Sequence, residues 1–559
     1  MTLDYQWRIA GKVSRQGTDD NLYQLMADVR DVDLDKFINF VNAKRGVRNP
    51  NELPNVDAAV ACIKKAIANN ERITVCGDYD VDGVTATACM VLGLNQLGAR
   101  VDWLVPDRMK DGYGLSERMV DMCASNYTSL LVTVDNGVAA WKGIAKAKSL
   151  GMDVVVTDHH PVRSATLPTD IVVDPFVDKL YPFPGICGCM VAYKLLRVLI
   201  PDLTTMPVNN ELVGLTTIAT VADAMDLVDE NRVFVYNGLK NLATTGNKGL
   251  TKLLEQLRLT QKHITSTDIG FSIAPCLNAA GRMGSADMCV KLFLGDDEAE
   301  TAKIAEKLIA ANERRKALQR EALASITVDE NDPVIVQDFP NAPGGMLGVI
   351  AGQIANKYQR PCFAVRLVGD HYGGSGRSFG GFDIGACVAE NNDIASGGGH
   401  AGACGVSVVA DKLAEFKTRC AKAYADYVAS ADVTAVEMPT VDVTGVLPLQ
   451  YADMDFVERV MNVAPFGHGN PEPVFAALNV ELRNPEVIGK LQNTVRGQLV
   501  DTDGSALSIV CFNAIKDKLV DELHLPPRVD ALFTIGVNEW AGRRTVQAIL
   551  TDVRLPENT

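Results

Sequence analysis

The segment ITVCGDYDVDG at residues 73–83 decides the fold and indicates the chemistry. Its apolar, β-branched start predicts a buried strand, and Gly83 allows the turn that follows. Three aspartates, Asp78, Asp80 and Asp82, alternate directly after this strand. Carboxylates this close repel one another unless cations neutralise them, and aspartate oxygens suit Mg²⁺ or Mn²⁺. On this motif alone, a calcium-type acidic loop or an exposed turn is the alternative interpretation.

Four further strand-like segments follow, VDWLVPD, SLLVTVDNG, DVVVTDHH and DIVVDP, and helical sequence separates them. Apolar strands that alternate with helices predict a parallel sheet covered on both faces, and ligands bind at the carboxyl ends of such strands. The residues that stand at predicted strand ends are Asp135, Asp158, His159, His160 and, within IATVADAMDL, Asp223. We therefore expect one cleft in which they form a metal cluster, although a lone His-His pair is more often structural.

The rest of the chain is predicted to contain helices, a second α/β segment and a β-rich tail. Residues 296–325 lack Gly and Pro and are rich in helix formers, which predicts one long helix. This helix either bridges two domains or is an amphipathic core helix. The tail alternates strand-like runs with turns, as a small five-stranded barrel does. The predicted divisions are an N-terminal extension at 1–50, a first α/β domain at 51–235, a helical region with the long helix at 236–325, a second α/β domain at 326–432 and the barrel at 440–559.

Composition indicates a folded chain of several domains. Of its 559 residues, 47% are hydrophobic and 22% are charged, and no low-complexity tract interrupts them. The first residues, MTLDYQWRIAGKVSRQG, contain no apolar leader, and no uncharged apolar run approaches the ~20 residues that span a bilayer. We expect a cytoplasmic protein without a membrane span. The thirteen mostly isolated cysteines are expected to be small buried hydrophobes and not disulfide partners or zinc ligands.

The net charge of −15 bears on nucleic-acid binding, because affinity for phosphates comes largely from Lys and Arg. This charge argues against a nucleic-acid partner without excluding one. A channel for a single strand needs only a local basic lining, and bound cations can neutralise part of the acidic excess.

The order of the acidic segments, GDYDVDG, VTVDNG, TDHH and TVADAMDL, resembles motifs I to IV of the DHH phosphoesterases. The resemblance implies hydrolysis of phosphodiester bonds with two Mn²⁺ or Mg²⁺ ions. The residues implied as metal ligands, with Asp135 bridging both ions, are Asp80, Asp82, Asp135, His159 and Asp223. Two catalytic residues, Asp78 and His160, are implied beside them and would assist with the substrate phosphate or a metal-bound water.

One position departs from the family pattern. Many members have a histidine four residues before the second aspartate of motif I, where this chain has Cys76. Cys76 is either a weak ligand or a core residue. The first metal site is therefore expected to be altered but present.

Two glycine-rich stretches, GGSGRSFGGFDI at 373–384 and SGGGHAGACG at 396–405, resemble the substrate loop of the DHH-associated domain. Arginine and serine can hold a phosphate by charge and hydroxyl contacts, and glycines let backbone N–H groups approach it. The substrate-binding residues that the resemblance implies are Arg282, Ser375, Arg377, Ser378, Gly398, Gly399 and His400. By themselves, the glycines also fit a structural turn with a buried His400.

Four other stretches resemble the RecJ exonucleases of this superfamily: PGICGCMVAYKLL, CLNAAGRMGSAD, MLGVIAGQIANKYQRPCFAV and APFGHGNPEPVF. The tail resembles their OB-fold, with Trp540, Arg543 and Arg544 as candidates for contact with a strand. The resemblance implies a monomeric 5′-to-3′ exonuclease that acts on single-stranded DNA in repair or recombination. A single-strand-binding protein or a helicase is a candidate partner.

Two alternative functions remain open on sequence grounds. A DHH phosphodiesterase could act on short oligonucleotides, cyclic dinucleotides or pyrophosphate, but such enzymes resemble only the first two domains. A non-catalytic replication scaffold would be expected to lose motif carboxylates, and this chain keeps them.

Overall fold

The computed structural model of the chain describes residues 5–556 except for 17–18, 44–45, 109, 165, 261–262, 284–285, 327, 330–331, 431–439, 490–491 and 541–542. Its first domain is built on a five-stranded parallel sheet. In spatial order the strands are Arg100–Leu104, Arg72–Cys76, Leu130–Val134, Asp153–Thr157 and Val172–Val173. This sheet confirms the parallel α/β fold predicted from the sequence.

The strand order creates a switch point beside the strand Arg72–Cys76. From this strand the chain moves outward to Arg100–Leu104 and then returns to Leu130–Val134 on the other side. The two connections leave in opposite directions from one crevice, which is where open α/β sheets bind ligands. The acidic residues at 78–82 and at 135 directly follow the two strands that flank this crevice.

Helices cover both faces of the sheet. The helix Val81–Asn95 is apolar nearly all round, and it lies buried against the helices Gly188–Leu199 and Val208–Ala222. A helix without a polar face is stable only when other elements surround it. The remaining helices of this domain are Val56–Ala68, Glu117–Ser125, Trp141–Ser149 and Asp229–Asn241.

The region between the two α/β domains is helical. The predicted long helix is Glu298–Ser325, after the N-cap Asp297. Ala305 and Leu308 pack into the core of the first domain and Ala322 into that of the second, so this element is both a core helix and a connector. In the described part of the chain, no helix combines the length and apolar character needed to cross a membrane. The other helices of this region are Lys248–Gln256, Ser266–Asp268, Ala274–Met283 and Asp287–Leu294, with a π-helical turn at Ile269–Ile273.

The second domain has a five-stranded mixed sheet between helices. In spatial order its strands are Ala395–His400, Ala403–Val409, His371–Arg377, Cys362–Val368 and Ile335–Asp338. The helices Ile384–Glu390 and Leu413–Ser430 pack on one face, and Leu347–Tyr358 packs on the other. The predicted second α/β domain is thus confirmed as a fold.

The C-terminal domain is a closed five-stranded barrel, as predicted. Its strands are Phe475–Ile488, Thr494–Val500, Ala506–Phe512, Arg528–Trp540 and Arg543–Arg554. The barrel closes because Phe475–Ile488 pairs with both Thr494–Val500 and Arg528–Trp540. The short strand Gly445–Val446 and the helices Met454–Met461 and Asn513–Asp517 complete the domain.

The first residues of the chain pack on this barrel, a position that the sequence did not predict. The strand Gln6–Ile9 pairs in parallel with Thr440–Val443, just before the barrel. Met26 and Phe37 share one hydrophobic core with Phe475 of the first barrel strand. The other elements of this segment are the short strands Arg15–Gln16 and Asp19–Asp20 and the helices Leu22–Val29 and Leu34–Asn42.

A buried arginine ties the first domain to this assembly. The guanidinium of Arg232 donates hydrogen bonds to the carbonyls of Phe40 and Val463, at 3.2 and 2.7 Å, and it lies over the Phe40 ring. Phe40 belongs to an N-terminal helix and Val463 precedes the barrel. One side chain therefore holds three parts of the chain together and fixes the barrel against the first domain.

The cysteines behave as the composition predicts. All thirteen are free thiols, and all but Cys62 are buried. The Sγ atom of Cys187 lies 3.5 Å from the Thr220 hydroxyl, and that of Cys189 lies 3.4 Å from the Thr216 hydroxyl. These thiols fill the protein interior and are not cross-linked.

Candidate metal centre

The first acidic motif forms the start of the helix Val81–Asn95. Asp80 is its N-cap, and the Asp80 carboxylate accepts a hydrogen bond from the backbone N–H of Gly83 at 3.0 Å. Asp82 lies in the first turn. The helix dipole and the free N–H groups at a helix N-terminus stabilise carboxylates. The spacing of the motif therefore places two acidic side chains at one helix end beside the switch point.

A second helix N-terminus orients Asp82. The two carboxylate oxygens of Asp82 accept hydrogen bonds from the backbone N–H groups of Gly188 and Cys189, at 2.6 and 2.8 Å. A Cβ on Gly188 would lie 2.6 Å from the Cβ of Asp135, closer than real side chains approach. Gly188 is thus required for Asp135 to lie beside Asp82.

His159 lies at the centre of the acidic residues. Its Nε2 atom is 3.1 Å from Oδ1 of Asp135 and 3.6 Å from the nearest carboxylate oxygens of Asp82 and Asp223. Adjacent ligands of an octahedral ion at about 2.0–2.1 Å lie about 3 Å apart. Potential ligand atoms of Asp82, His159 and Asp223 all lie within 4.8 Å of one another, as do those of Asp135, His159 and His160. Two overlapping groups of donors therefore share His159.

Asp223 occupies a different local structure from the one predicted. The sequence IATVADAMDL suggested a strand end, but Asp223 follows the helix Val208–Ala222. The β-branched residues that favour a strand are accommodated because the hydroxyls of Thr216, Thr217 and Thr220 donate to carbonyls four residues earlier. A carboxylate at a helix C-terminus faces the negative end of the dipole, so Asp223 requires a cation nearby to be stable when ionised.

The buried oxygens of this cluster fit divalent cations. Oδ1 of Asp135, Oδ2 of Asp223 and Oδ2 of Asp78 are buried without a hydrogen-bond partner. Burial, together with the charges of Asp82 and Asp80, raises the pKa of Asp135 well above its usual range and that of Asp223 to about 8. Buried carboxylates are stable in the ionised form only when paired or bound to metal. Because aspartate and histidine donors suit Mn²⁺ and Mg²⁺, the cluster is chemically suited to those ions.

Asp158 orients the His-His pair. One carboxylate oxygen of Asp158 lies 2.8 Å from Nδ1 of His160 and also accepts the backbone N–H groups of His159 and His160, while the other accepts the N–H of Val138. Burial alone would lower the pKa of His160, but the hydrogen bond to Asp158 and the charges of neighbouring carboxylates outweigh it and raise the pKa to about 9. Asp158 therefore fixes the His160 ring beside Asp135 and His159.

Asp78 lies next to this cluster and is held differently from Asp80 and Asp82. Its Oδ1 atom accepts the backbone N–H of Gly114 at 3.1 Å. Burial, reinforced by the charge of Asp80, raises the pKa of Asp78 to about 7. Asp78 can therefore hold or release a proton near neutral pH.

Two residues near the cluster were not singled out from the sequence. The hydroxyl of Tyr113 donates to the carbonyl of Asp135 at 2.9 Å and lies 3.2 Å from the His160 ring nitrogens. Asp174, at the end of DIVVDP, is buried, and burial together with the charge of Asp158 raises its pKa to about 8. The acidic end of the last strand was a usable signal for Asp174, whereas nothing distinguished Tyr113 from other loop tyrosines.

Cys76 packs away from the donors. It is fully buried, and its Sγ lies 3.9 Å from Sγ of Cys123 in a cluster of apolar side chains. The contact with Cys123 and burial raise the pKa of the Cys76 thiol well above its usual range. Of the two interpretations of this position, the core residue is the one that matches the structure.

Three arginines meet between the acidic cluster and the second domain. Arg108 lies over the ring of Tyr79, 5.1 Å from its centroid. Arg282 donates a hydrogen bond to the carbonyl of Gly345 at 3.4 Å. Burial, together with the charge of Arg108, lowers the pKa of Arg282 and also that of Arg377. Cationic side chains near one another can together bind an anionic ligand such as a phosphate. Arg108 was missed in the sequence because VPDRMKDGYG carries no pattern beyond that of a polar loop.

The sheet of the second domain brings four of the predicted substrate residues to one face. Arg377 and His400 both pair with Ala403, and Ser375 and Gly398 both pair with Gly405. Residues directly opposite in antiparallel strands point to the same side of a sheet. Gly399 pairs with Cys404, one residue out of phase, and therefore faces the other side.

Ser378 and the barrel residues take other positions. The hydroxyl of Ser378 donates to the carbonyl of Phe382, so it stabilises the loop that follows the strand. Arg543 and Arg544 are exposed on the barrel, and Arg544 lies 2.9 Å from Glu539. The side chain of Trp540 lies outside the described residues.

Three family models match separate parts of the chain, and curated proteins resemble most of its length. The models that match are the DHH family N-terminal domain over residues 72–220, the DHHA1 domain over 331–426 and the RecJ OB domain over 443–552. The chain is 30% identical over 572 residues to the single-stranded-DNA-specific exonuclease RecJ of Haemophilus influenzae, with 97% of each chain covered. It is 31% identical over 524 residues to the RecJ of Bacillus subtilis, which covers 91% of this chain but only 64% of that relative.

Solved structures show the same architecture. The chain matches the crystal structure of RecJ from Thermus thermophilus in complex with Mn²⁺ with a TM-score of 0.80 and 25% identity, over 99% of this chain and 80% of that chain. The Mg²⁺ complex of the same protein matches with a TM-score of 0.73 and 24% identity, over 99% and 79%. A structure described as exonuclease RecJ bound to manganese matches with a TM-score of 0.61 and 31% identity, over 68% and 98%.

Proposed function

Because the chain belongs to the RecJ family of DHH phosphoesterases, we propose that it hydrolyses the phosphodiester bonds of single-stranded DNA from the 5′ end with Mn²⁺ or Mg²⁺. The observation that carries the proposal is the group of buried carboxylates around His159, with its unpaired oxygens. Nothing in ordinary protein folding requires such crowding, and a two-metal phosphodiesterase does.

The residues that would hold the two ions are Asp80, Asp82, Asp135, His159 and Asp223. Two such ions supply an activated water and stabilise the charge that develops on the attacked phosphate and the leaving oxygen. Asp135 would contact both ions, a role that the family resemblance implies and that its Oδ1 atom, 3.1 Å from Nε2 of His159, supports. The proposal requires no covalent bond between protein and substrate.

His160 and Asp78 would act on the substrate from the edge of the ion site. The His160 ring is fixed by Asp158 and would be placed to donate a hydrogen bond to a phosphate oxygen or to the leaving oxygen. Asp78 is anchored by Gly114 and can orient or deprotonate a water. The proposal assigns both residues to the substrate, although a His160 ring nitrogen also lies within 4.8 Å of donor atoms of Asp135 and His159.

The arginine group and the second domain would hold the strand in register. Arg108, over the Tyr79 ring, and Arg282 and Arg377 near it would give a single strand a local basic lining although the net charge is −15. Ser375, Gly398 and His400 share a face with Arg377 and extend this surface. Gly399 lies in the neighbouring strand Ala395–His400, and the Ser378 hydroxyl stabilises the loop that follows Arg377. A strand clamped between these groups and the ions would present one phosphate for attack.

The barrel would bind the strand away from the ions, with Arg543 and Arg544 as exposed cations. Neither alternative function is favoured. Enzymes for short substrates do not need a barrel that is fixed to the catalytic domain through Arg232. A non-catalytic scaffold would not need the complete acidic set.

The cellular setting is a further part of the proposal and follows from the family alone. We place the protein in the cytoplasm, as a monomer, in DNA repair or recombination, with a single-strand-binding protein or a helicase as its partner. Co-purification with each candidate and the molecular mass in solution test these statements separately from the activity.

The test of the activity uses purified protein, Mn²⁺ and end-labelled substrates. We expect release of nucleotides from the 5′ end of single-stranded DNA, with little cleavage of duplex DNA, and no activity in EDTA. Strands labelled at the 5′ or the 3′ end distinguish the two polarities. Hydrolysis confined to very short oligonucleotides, or none with any nucleic acid, would overturn the proposal.

A further inference from the structure

A cavity of about 270 Å³ lies between the metal-binding domain and the segment that leads into the barrel. Three segments form its walls: 221–227, which contains Asp223; 266–271, which ends in a π-helical turn; and 466–472, within APFGHGNPEPVF. The proposed machinery uses none of the side chains that line it. The cavity lies at a boundary between domains, where ligand sites are common.

Hydrogen bonds to backbone carbonyls join the walls of this cavity to one another. The N–H of Leu227 donates to the carbonyl of His468 at 2.7 Å, and the hydroxyl of Ser266 donates to the carbonyl of Phe466 at 2.5 Å. A Cβ on Gly467 would lie 2.8 Å from a methyl of Leu227. The segments are therefore in direct contact, and the cavity exists before any ligand arrives.

An aromatic ring is presented at this cavity. Phe271 is 79% exposed although it is one of the lining residues, and it stands on the π-helical turn Ile269–Ile273. Single π-helical turns interrupt the regular hydrogen bonding of a helix and are frequent at functional sites. A large apolar ring left in solvent beside a preformed cavity can stack against a flat apolar group.

The lining chemistry favours a nucleobase over a phosphate. Among the described residues that line the cavity there is no Lys or Arg, whereas Glu472 is acidic. The lining residue His468 is paired at 2.5 Å with the carboxylate of Asp226. Apolar contact comes from Met225 and Phe466. The described lining residues thus offer a phosphate no Lys or Arg, whereas a base offers a flat apolar face to Phe271 and polar edges to the polar side chains.

The position of the cavity links it to the strand that the metal centre would hold. Val221 and Ala224 line the cavity, and Asp223 between them points a carboxylate oxygen at His159. The opposite wall leads directly into the first barrel strand. A strand that runs from the ions towards the barrel can therefore pass this opening.

We propose that the Phe271 cavity binds one base of the single-stranded substrate, by stacking on the Phe271 ring, and so holds the strand between the metal centre and the barrel. This inference rests on the proposed function, because it needs a single strand at the metal centre. The volume is below the ~300–1,000 Å³ of pockets that enclose a drug-sized ligand, which is consistent with one base and not a longer segment.

The test moves one abasic site through successive positions of a single-stranded oligonucleotide and measures binding. The full chain carries Asp135→Asn so that hydrolysis does not consume the probe. We expect one position at which loss of the base weakens binding roughly 5–150-fold, the range for one base stacked on an aromatic ring. With Phe271→Ala added, that position becomes insensitive, since base and ring contribute through the same contact. Phe271→Trp should retain the sensitivity.

The matched control is Tyr127→Asn, which removes a ring that is 86% exposed elsewhere on the first domain. Tyr127 has a positive φ of 57°, a conformation that asparagine tolerates. This control should leave the abasic profile unchanged. Identical abasic binding profiles for the chain with Phe271 and for the Phe271→Ala variant would overturn the base site. If the wild-type chain neither binds nor cuts single strands, the proposed function fails instead, whereas hydrolysis with a flat abasic profile overturns the cavity alone.

Discussion

The backbone N–H of Gly188 donates a hydrogen bond of 2.6 Å to the Asp82 carboxylate, so a helix from a different part of the chain orients a residue of the metal centre. The same glycine leaves room for Asp135. Gly188→Ala should therefore weaken Mn²⁺ binding while leaving the fold, because the new Cβ displaces Asp135. We expect hydrolysis that is low at limiting Mn²⁺ and partly restored at high Mn²⁺. Gly185→Ala, where a Cβ meets only ordinary contacts, is the control, and equal metal titrations for the two variants would contradict this account.

Asp135→Asn should abolish most hydrolysis without unfolding the protein. Asp135 has a φ of 61°, which asparagine also tolerates, whereas alanine there would add backbone strain. Loss of a preorganised charged group at a reaction centre costs about 10²–10³-fold or more. Hydrolysis rates and the Mn²⁺-induced rise in Tm measure the two effects. The exposed Asp202→Asn is a matched control, and near-normal activity of Asp135→Asn would remove the bridging role.

The stability of the metal-free protein should fall as pH rises. Burial raises the pKa of Asp78 to about 7 and of Asp223 to about 8, compared with roughly 3.9 in an unfolded chain. These raised values stabilise the fold fully below pH ~4, and the stabilisation is lost as pH rises through about 7 to 8. Thermal unfolding in EDTA should show this decline, and Mn²⁺ should flatten it. A Tm in EDTA that rises over the same range would contradict the assignment of the buried carboxylates.

Arg377→Ala should reduce hydrolysis of DNA without changing Mn²⁺ affinity. Arg377 lies on the second domain and belongs to the arginine group beside Tyr79. Loss of one charged hydrogen bond to a phosphate is worth ~1.5–3 kcal/mol, or about 10–150-fold. Arg377→Lys should recover only part of the hydrolysis, because an ammonium group lacks the planar, forked donor geometry of a guanidinium. The half-buried Arg419→Ala on the same domain, which removes ion pairs with Asp393 and Glu415, is the control. A loss of Mn²⁺ affinity in Arg377→Ala would show that Arg377 shapes the metal site.

Arg543→Ala should weaken binding of long strands more than hydrolysis of very short ones. The log–log salt slope should become shallower by about 0.7 if this side chain neutralises one phosphate of a single strand. Lys36→Ala, which removes an exposed cation from an N-terminal helix, should leave the slope unchanged. Removing the whole barrel is a poorer test, because it would expose Met26 and Phe37. An unaltered slope for Arg543→Ala would mean that this position does not meet the strand.

The part of the metal centre that could be predicted from the sequence is the part that lies at predicted strand ends. The carboxyl ends of neighbouring parallel strands meet at one edge, so Asp135 and His159 could be assigned to one cleft from strand ends alone. Asp223 was assigned to the same cleft, but its helix was mistaken for a strand. There, burial against two neighbouring helices and threonine hydroxyl bonds override the β-propensity of the segment.

The remaining features depend on contacts that no local pattern records. Arg108 and Tyr113 lie in a polar loop whose composition resembles any other, and only the folded chain brings them to the acidic cluster. The pairing of Gln6–Ile9 with Thr440–Val443 joins segments that lie far apart in the sequence. Short strands carry too few residues for periodicity to reveal such a partner.

That pairing also bears on how the protein is made. The strand Gln6–Ile9 is synthesised before both α/β domains, but Thr440–Val443 is synthesised only after them. At ~5–20 residues per second, the interval is roughly tens of seconds. During that time Met26 and Phe37 have no barrel to pack against, so the nascent chain exposes apolar side chains that a chaperone could bind. The order of synthesis thus leaves this N-terminal segment without its packing partner until the barrel has been synthesised.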